Sequence, residues 1–429
     1  MAGSRRTDLA LTALCALVAA IGLWNVAHYP PGRSYDAPDN IPYADKLIPG
    51  LHLPVGSAYH LPAGAGSYYT PPGYYAVAGT ADWIAGGIGV GDRHRAGMAV
   101  NVLFLLGSVL LVARIARELW PGHERIALGA GAFVAFLPVA TIAATMFHPE
   151  SLSFFCSTLA LWAGVRSFSD RRFVWALGVA LGAGQLVRAF ALWTVAVTVI
   201  AFLVARRFRD LIPVLAVALL IPLPWYIHQT VKYGSPLFPR PVTPLAQTAT
   251  GKPKPLWDRQ PAAFFVAPGI PQIVTAPYVP HFANRFWPEL YAGVWGDWLG
   301  VWTWNHGPAT PVPSAAERHR LQVQSVVGIL PTLLAIVGWI ALLAGSLRTP
   351  SRLAVALLPA VGLLGLLYFT VSYPVPDGDT IKATYLLTTA ASWALGFGYA
   401  LDRLRGRAWI GLAALLAVGA IAELPFLIY

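Results

Sequence analysis

Apolar runs long enough to cross a membrane as helices, most of them near twenty residues, recur along the chain at about 7–27, 97–113, 126–146, 151–165, 173–189, 190–205, 211–228, 325–345, 353–373, 384–401 and 408–428. Short polar joints separate them. A bilayer leaves backbone groups no water to bond, so a spanning segment has to satisfy them itself, as a helix does. The pattern therefore predicts an all-α polytopic membrane protein with about eleven transmembrane helices in one domain over 1–429. One more apolar stretch, "PPGYYAVAGTADWIAGGIGVG" (71–91), is short and rich in glycine, carries Asp82 and opens with Pro71-Pro72. It is expected to lie in the interface rather than to span.

Charge fixes the threading. With Arg5 and Arg6 in the cytoplasm, the joints "RIARELWPGHER", "RSFSDRR", "ARRFRD", "GSLRTPSR" and "LDRLRGRA" all fall on that side, and each is rich in arginine, as the positive-inside rule requires. Counting 71–91 as a span would turn those joints outward. Two long external segments result, 28–96 and 229–324, with a short one near 374–383. Asp36, Glu150 and Lys382 should then face outward, and Arg117, Arg207 and Arg405 inward. The composition, 56% hydrophobic and 11% charged, fits a membrane protein. The net charge of +11 belongs to the joints, so nucleic acid is not an expected partner. Cys15 and Cys156 both lie in apolar runs and imply no disulfide framework. The first run exceeds a signal-peptide core and reads as a retained span, and no soluble domain is expected after the last.

Distinctive polar residues gather in the external segments. Asp36 and Asp39 in "YDAPDN" suit a proline-flanked turn and equally a general base, which a hydroxyl or amide nucleophile needs. Asp45 reads as a solvated partner of Lys46. In "MFHPES", Pro149 and Glu150 fit a helix N-terminus, and Glu150 is also placed to orient an acceptor. Arg188 interrupts an apolar stretch and Lys382 precedes the tenth run; at a membrane boundary both suit either an interfacial anchor or a lipid phosphate. The aromatic run "RFWPELYAGVWGDWLGVWTW" holds Asp297. A divalent metal near Asp36 and Asp39 is left open, since two carboxylates do not make a ligand set.

With these motifs in order, the chain resembles the GT-C membrane glycosyltransferases that use polyprenyl-phosphate-linked sugars, especially bacterial relatives of the protein O-mannosyltransferases and of the lipid A aminoarabinose transferase. The resemblance spans most of the chain. It rests on Asp36-Ala37-Pro38 with Asn40, Pro71-Pro72-Gly73-Tyr74-Tyr75, His148-Pro149-Glu150, Trp225-Tyr226 and Tyr233-Gly234-Ser235-Pro236. It implies a GT-C-like bundle in the cell membrane, with Asp36 as catalytic base aided by Asp39 and Glu150. Arg188, Lys382 and Tyr385 would meet the donor phosphate, and Asn40, Tyr74, Tyr75, His148 and Asp297 would line the substrate cavity. Ala37 stands where the family usually has Glu, and Thr384 where it has Arg. The implied partners are a polyprenyl-phosphate-linked sugar, an extracytoplasmic acceptor and the bilayer. A flippase of a lipid-linked glycan and a non-catalytic scaffold are the alternatives; inverted repeats, common in transporters, are not seen.

Overall fold

The computed structural model describes residues 2–53, 69–237, 243–304, 313–347, 349–375, 380–404 and 406–429. Asp377 and Asp379 of the short external segment, and Arg405, lie outside them. Among the described residues the regular secondary structure is helical, without a β-strand. The first long helix, α1 (Ala2–His28), leads to α2 (Ala37–Leu47) and α3 (Gly73–Gly87), both within the segment 28–96. There follow α4 (His94–Leu119), α5 (Glu124–Ala135), α6 (Pro138–Thr145), α7 (Glu150–Ser167), α8 (Phe173–Val187), α9 (Leu192–Val204), α10 (Phe208–Leu220) and α11 (Leu223–Tyr233). The second long segment carries α12 (Ala262–Val266), α13 (Gln272–Thr275) and α14 (Phe286–Trp295). The chain closes with α15 (Ala315–Val327), α16 (Ile329–Ser346), α17 (Pro350–Ser372), α18 (Ala390–Arg403) and α19 (Gly406–Leu427).

All eleven apolar runs are helical. Among the described residues five helical stretches, α15 and α16 counted as one, satisfy the length and hydropathy of a membrane span, and up to seven do if two bent pairs count as one span each: α5 with α6, bent by 54°, and α10 with α11, bent by 53°. Pro138 and Pro222 stand at the bends, where a missing N–H breaks the ladder. The remaining four runs form shorter helices inside the bundle. α3 has only 15 residues, about 22 Å of helix. Tyr74, Tyr75, Ala78 and Asp82 face the protein while Trp83, Ile84 and Ile88 are exposed, as an interfacial helix arranges its faces.

Ion pairs gather the polar joints at one end of the bundle. Arg117 meets Asp8 at 2.7 Å and Glu124 at 2.8 Å, Arg166 meets Glu118 at 3.0 Å, and Arg207 meets Asp210 at 2.6 Å. His123 bonds Asp402 at 2.8 Å, and Arg352 donates to the Leu119 carbonyl at 2.6 Å. The two long segments cover the opposite end. There Asn25 at the end of α1 donates to the Leu427 carbonyl at 2.7 Å, and the indole of Trp302 donates to the Phe426 carbonyl at 3.0 Å. Within the bundle α18 packs on α16 and α5, and α7 on α4 and α8. Backbones meet at one point in particular: a Cβ on Gly338 of α16 would stand 1.8 Å from the Gly396 carbonyl oxygen of α18.

Candidate functional site

At the end opposite the arginine joints the helices part around a cavity of about 460 Å³. Its floor is polar. Asp36 stands immediately before α2 in the left-handed region, at φ +54°, a conformation that Asp tolerates better than most residues. The turn forms because the Asp36 carbonyl accepts from the amides of Asp39 and Asn40, at 3.0 and 2.9 Å, while Pro38 in the first helical turn needs no amide partner. Asn40 then ties α2 down. Its amide nitrogen donates to the carbonyls of Tyr35 and Phe147, and its oxygen accepts from the Tyr75 hydroxyl at 2.7 Å. From α4, Asn101 donates to the carbonyls of Met146 and His148 at 2.8 and 3.0 Å. The α6–α7 junction is thereby held beneath the first loop.

Two cations reach the floor, each beside a carboxylate. Lys382 Nζ is 3.3 Å from Asp36 Oδ1. Arg188, at the break between α8 and α9, donates from Nε to Glu150 Oε1 at 2.6 Å, and its guanidinium lies over the Tyr385 ring at 5.5 Å. Asp36 sits deep in the protein, yet 43% of its side chain is accessible, because it faces the cavity. Burial works against its charge, but the charge of Lys382, then the hydrogen bond and charge of His148, and last the charge of Arg188 outweigh that and hold the carboxyl well below the usual range. His148, fully buried, has Nε2 3.9 Å from Asp36 Oδ2, and burial pushes its pKa down.

Asp36, Asp39, Asn40, Arg188, Lys382 and Tyr385 line the cavity; the other expected residues sit behind it. Glu150 is fully buried against Arg188, so it orients that arginine and is not placed to touch an acceptor. Tyr74 and Tyr75 are packed inward, with the Tyr74 hydroxyl accepting from Asn101 at 3.1 Å and Tyr75 stacked on Tyr43 at 4.0 Å. Asp297, fixed elsewhere, accepts from the amides of Trp302 at 2.8 Å and Thr303 at 2.6 Å. Asp45, still partly exposed, pairs with Arg93 at 2.9 Å rather than with Lys46. The second wall of the cavity is aromatic, including Trp193, Trp225, Tyr226, Tyr368 and Tyr373. In the run 285–304 that also holds Asp297, Trp295, Trp298 and Trp302 are buried. Only the Trp225-Tyr226 pair gave a signal in the sequence. For a metal, no group of three or more His, Cys, Asp or Glu side chains gathers among the described residues.

Residues 80–228 match the family model described as dolichyl-phosphate-mannose-protein mannosyltransferase. That stretch contains His148, Glu150, Arg188 and Trp225 but neither Asp36 nor Lys382. No curated protein sequence matches the chain. Among solved structures, the chain is similar to ArnT from Cupriavidus metallidurans in the apo state, at 17% identity and a TM-score of 0.53 over 98% of this chain and 65% of that one. It is similar also to the oligosaccharyltransferase of Archaeoglobus fulgidus in the apo form, at 12% identity and 0.54 over 97% and 56%. The AglB oligosaccharyltransferase of the same organism, in complex with an inhibitory peptide and a dolichol-phosphate, matches at 14% identity and 0.53 over 97% and 56%. The chain thus spans between half and two-thirds of the length of these proteins. At such identities the likeness is one of fold: the chain has the GT-C architecture of a polytopic membrane protein.

Proposed function

We propose that the protein is a membrane glycosyltransferase that moves a monosaccharide from a polyprenyl-phosphate carrier to an extracytoplasmic acceptor. The observation that carries this reading is the cavity floor, where an ionised, accessible carboxylate at Asp36 adjoins two cations, Lys382 and Arg188, at the membrane boundary. A lipid phosphate placed against those cations sets the anomeric carbon of its sugar above Asp36. An apolar bay of about 230 Å³ lined by Ala383 and Leu386, which follow Lys382 in the chain, suits the first isoprene units. Glu150 holds only the Nε side of Arg188, which leaves the rest of the fork for the phosphate. The dolichol-phosphate in the AglB complex supports a lipid-phosphate donor of this class.

In the proposed reaction Asp36 takes the acceptor proton, the acceptor atom attacks the anomeric carbon, and the bond from that carbon to the phosphate oxygen breaks. Its electron pair leaves with the polyprenyl phosphate, whose added charge Arg188 and Lys382 stabilise. A single displacement inverts the anomeric configuration. Asp39, on the same wall, orients the acceptor. Segments 28–96 and 229–324 lie outside the membrane in this reading, as caps over one transmembrane unit.

Single-turnover transfer from a radiolabelled polyprenyl-phosphate sugar to an envelope extract tests the proposal. Asp36→Asn keeps the shape but accepts no proton, so transfer falls roughly 100-fold or more with donor binding unchanged. Full transfer by Asp36→Asn ends the assignment of the base. Label that moves between leaflets without a new product, in wild type, replaces the transferase with a flippase.

A further inference from the structure

A larger cavity than the Asp36 site, about 690 Å³, lies between α19 and the helices α5, α16 and α18, within the 300–1,000 Å³ typical of ligand sites. Ala413, Leu416, Ala417 and Ala420, at helical spacing on one face of α19, line it. A face of such small residues usually lets helices approach closely. Here it does not: α19 packs mainly on α15 and, near its end, on α6, and the gap stays open. The lining is almost wholly apolar except at its two ends. Arg125 lies over the Trp409 ring at 4.9 Å at the end of the arginine joints. At the other end Glu423 is only 2% exposed, and its Oε1 finds no hydrogen-bond partner among the described residues.

Glu423 stands one turn before Phe426 and Leu427, whose carbonyls are held by Trp302 and Asn25, so it belongs to the Asp36 end of the bundle. No Lys, Arg or His forms an ion pair with it among the described residues. A buried carboxylate at a membrane boundary is costly without a cation. Just outside, Arg320 on α15 donates to the Pro425 carbonyl and lies 6.0 Å from the Phe426 ring, which sets an exposed guanidinium beside the same mouth. An acid inside and a guanidinium outside match a headgroup that carries an ammonium and a phosphate. A polyprenyl phosphate would instead bring an anion against Glu423.

We propose that this groove binds one hydrocarbon chain of a zwitterionic phospholipid from the leaflet on the Asp36 side, with the headgroup ammonium on Glu423 and the phosphate toward Arg320. The site is separate from the proposed donor site, since Phe133 and Trp295, packed edge to face at 6.1 Å, stand between this groove and the bay beside Ala383. The test is native mass spectrometry of the full chain released from nanodiscs of phosphatidylethanolamine and phosphatidylglycerol. Wild type should retain one phosphatidylethanolamine per chain, and Glu423→Gln should retain at least tenfold less. The proposal is overturned by no retained lipid, by equal retention in Glu423→Gln, or by retention of phosphatidylglycerol or added polyprenyl phosphate in place of phosphatidylethanolamine. If Glu423→Gln does not fold, Ala417→Trp, which fills the groove and leaves Glu423 in place, decides: loss of the lipid supports the site and its retention overturns it.

Discussion

The Asp36–Lys382 contact of 3.3 Å sets the acid range of the proposed reaction. A carboxyl held below its ordinary value of 3.8 stays ionised above that value, and its contribution to stability is lost only as pH falls further. Wild-type transfer should therefore show no acid limb from Asp36 down to the ordinary carboxylate range. Lys382→Met removes the nearest cation and leaves the burial, so the limb should move to higher pH; an unmoved pH profile of single-turnover transfer would separate Lys382 from Asp36. The Arg188–Glu150 pair predicts a different outcome. Arg188→Ala strands a buried carboxylate, a loss of about 3–5 kcal/mol, whereas Arg188→Ala with Glu150→Ala should recover much of it. Thermal unfolding of the two variants reads this directly, and equal stability would mean that Glu150 is not held by Arg188. Arg188→Lys should keep part of the donor affinity, because lysine retains the charge and loses the fork.

Among the elements, the helices were legible where one run of apolar residues suffices and illegible where a neighbour decides. Residues 94–119 needed no context, and the short, proline-led 71–91 announced a helix of only 15 residues. The roles of Tyr74 and Tyr75 depend on Asn40, Asn101 and Tyr43, residues far apart in sequence, so a motif that reads as a cavity wall is packed behind it. The same holds for Glu150: its helix N-terminus is visible in Pro149-Glu150, but its partner lies 38 positions away. Trp193 and Tyr368 sit inside apolar runs and turn toward the cavity only because α9 and α17 pack together. Glycines show the limit most sharply. Nothing in the sequence marks Gly338 and Gly396, yet the α16–α18 crossing leaves no room for a Cβ at either. Gly338→Ala should cost roughly 1–3 kcal/mol by overpacking, seen as a lower unfolding temperature in detergent. Gly345→Ala, whose Cβ would meet nothing within 4 Å, should be neutral or stabilising.

For the whole molecule the decisive property is that two kinds of chemistry occupy opposite ends. Arginine-rich joints pair among themselves at one end, through Arg117, Arg166 and Arg207. Asp36, Arg188 and Lys382 gather at the other. Shorter helices also join these ends: α7 leads from Glu150 to Arg166, and α8, flanked by Arg171 and Arg188, leads back. α7 and α8, which fall short of a span by length and hydropathy, therefore still run in opposite directions. In the proposed reading the positive-inside rule places the arginine end in the cytoplasm and the cavity outside. Single cysteines in a chain whose Cys15 and Cys156 are replaced by alanine test the assignment with an impermeant thiol reagent on intact cells. Positions 92 and 252, exposed near the cavity end, should label at once, whereas positions 169 and 170, in the exposed turn between α7 and α8, should label only after the membrane is opened. The reverse pattern would put the cavity in the cytoplasm and remove the extracytoplasmic acceptor from the proposed reaction. Labelling of both sets in intact cells would break the alternation itself, and with it the placement of Arg188 and Lys382 on one face of the membrane.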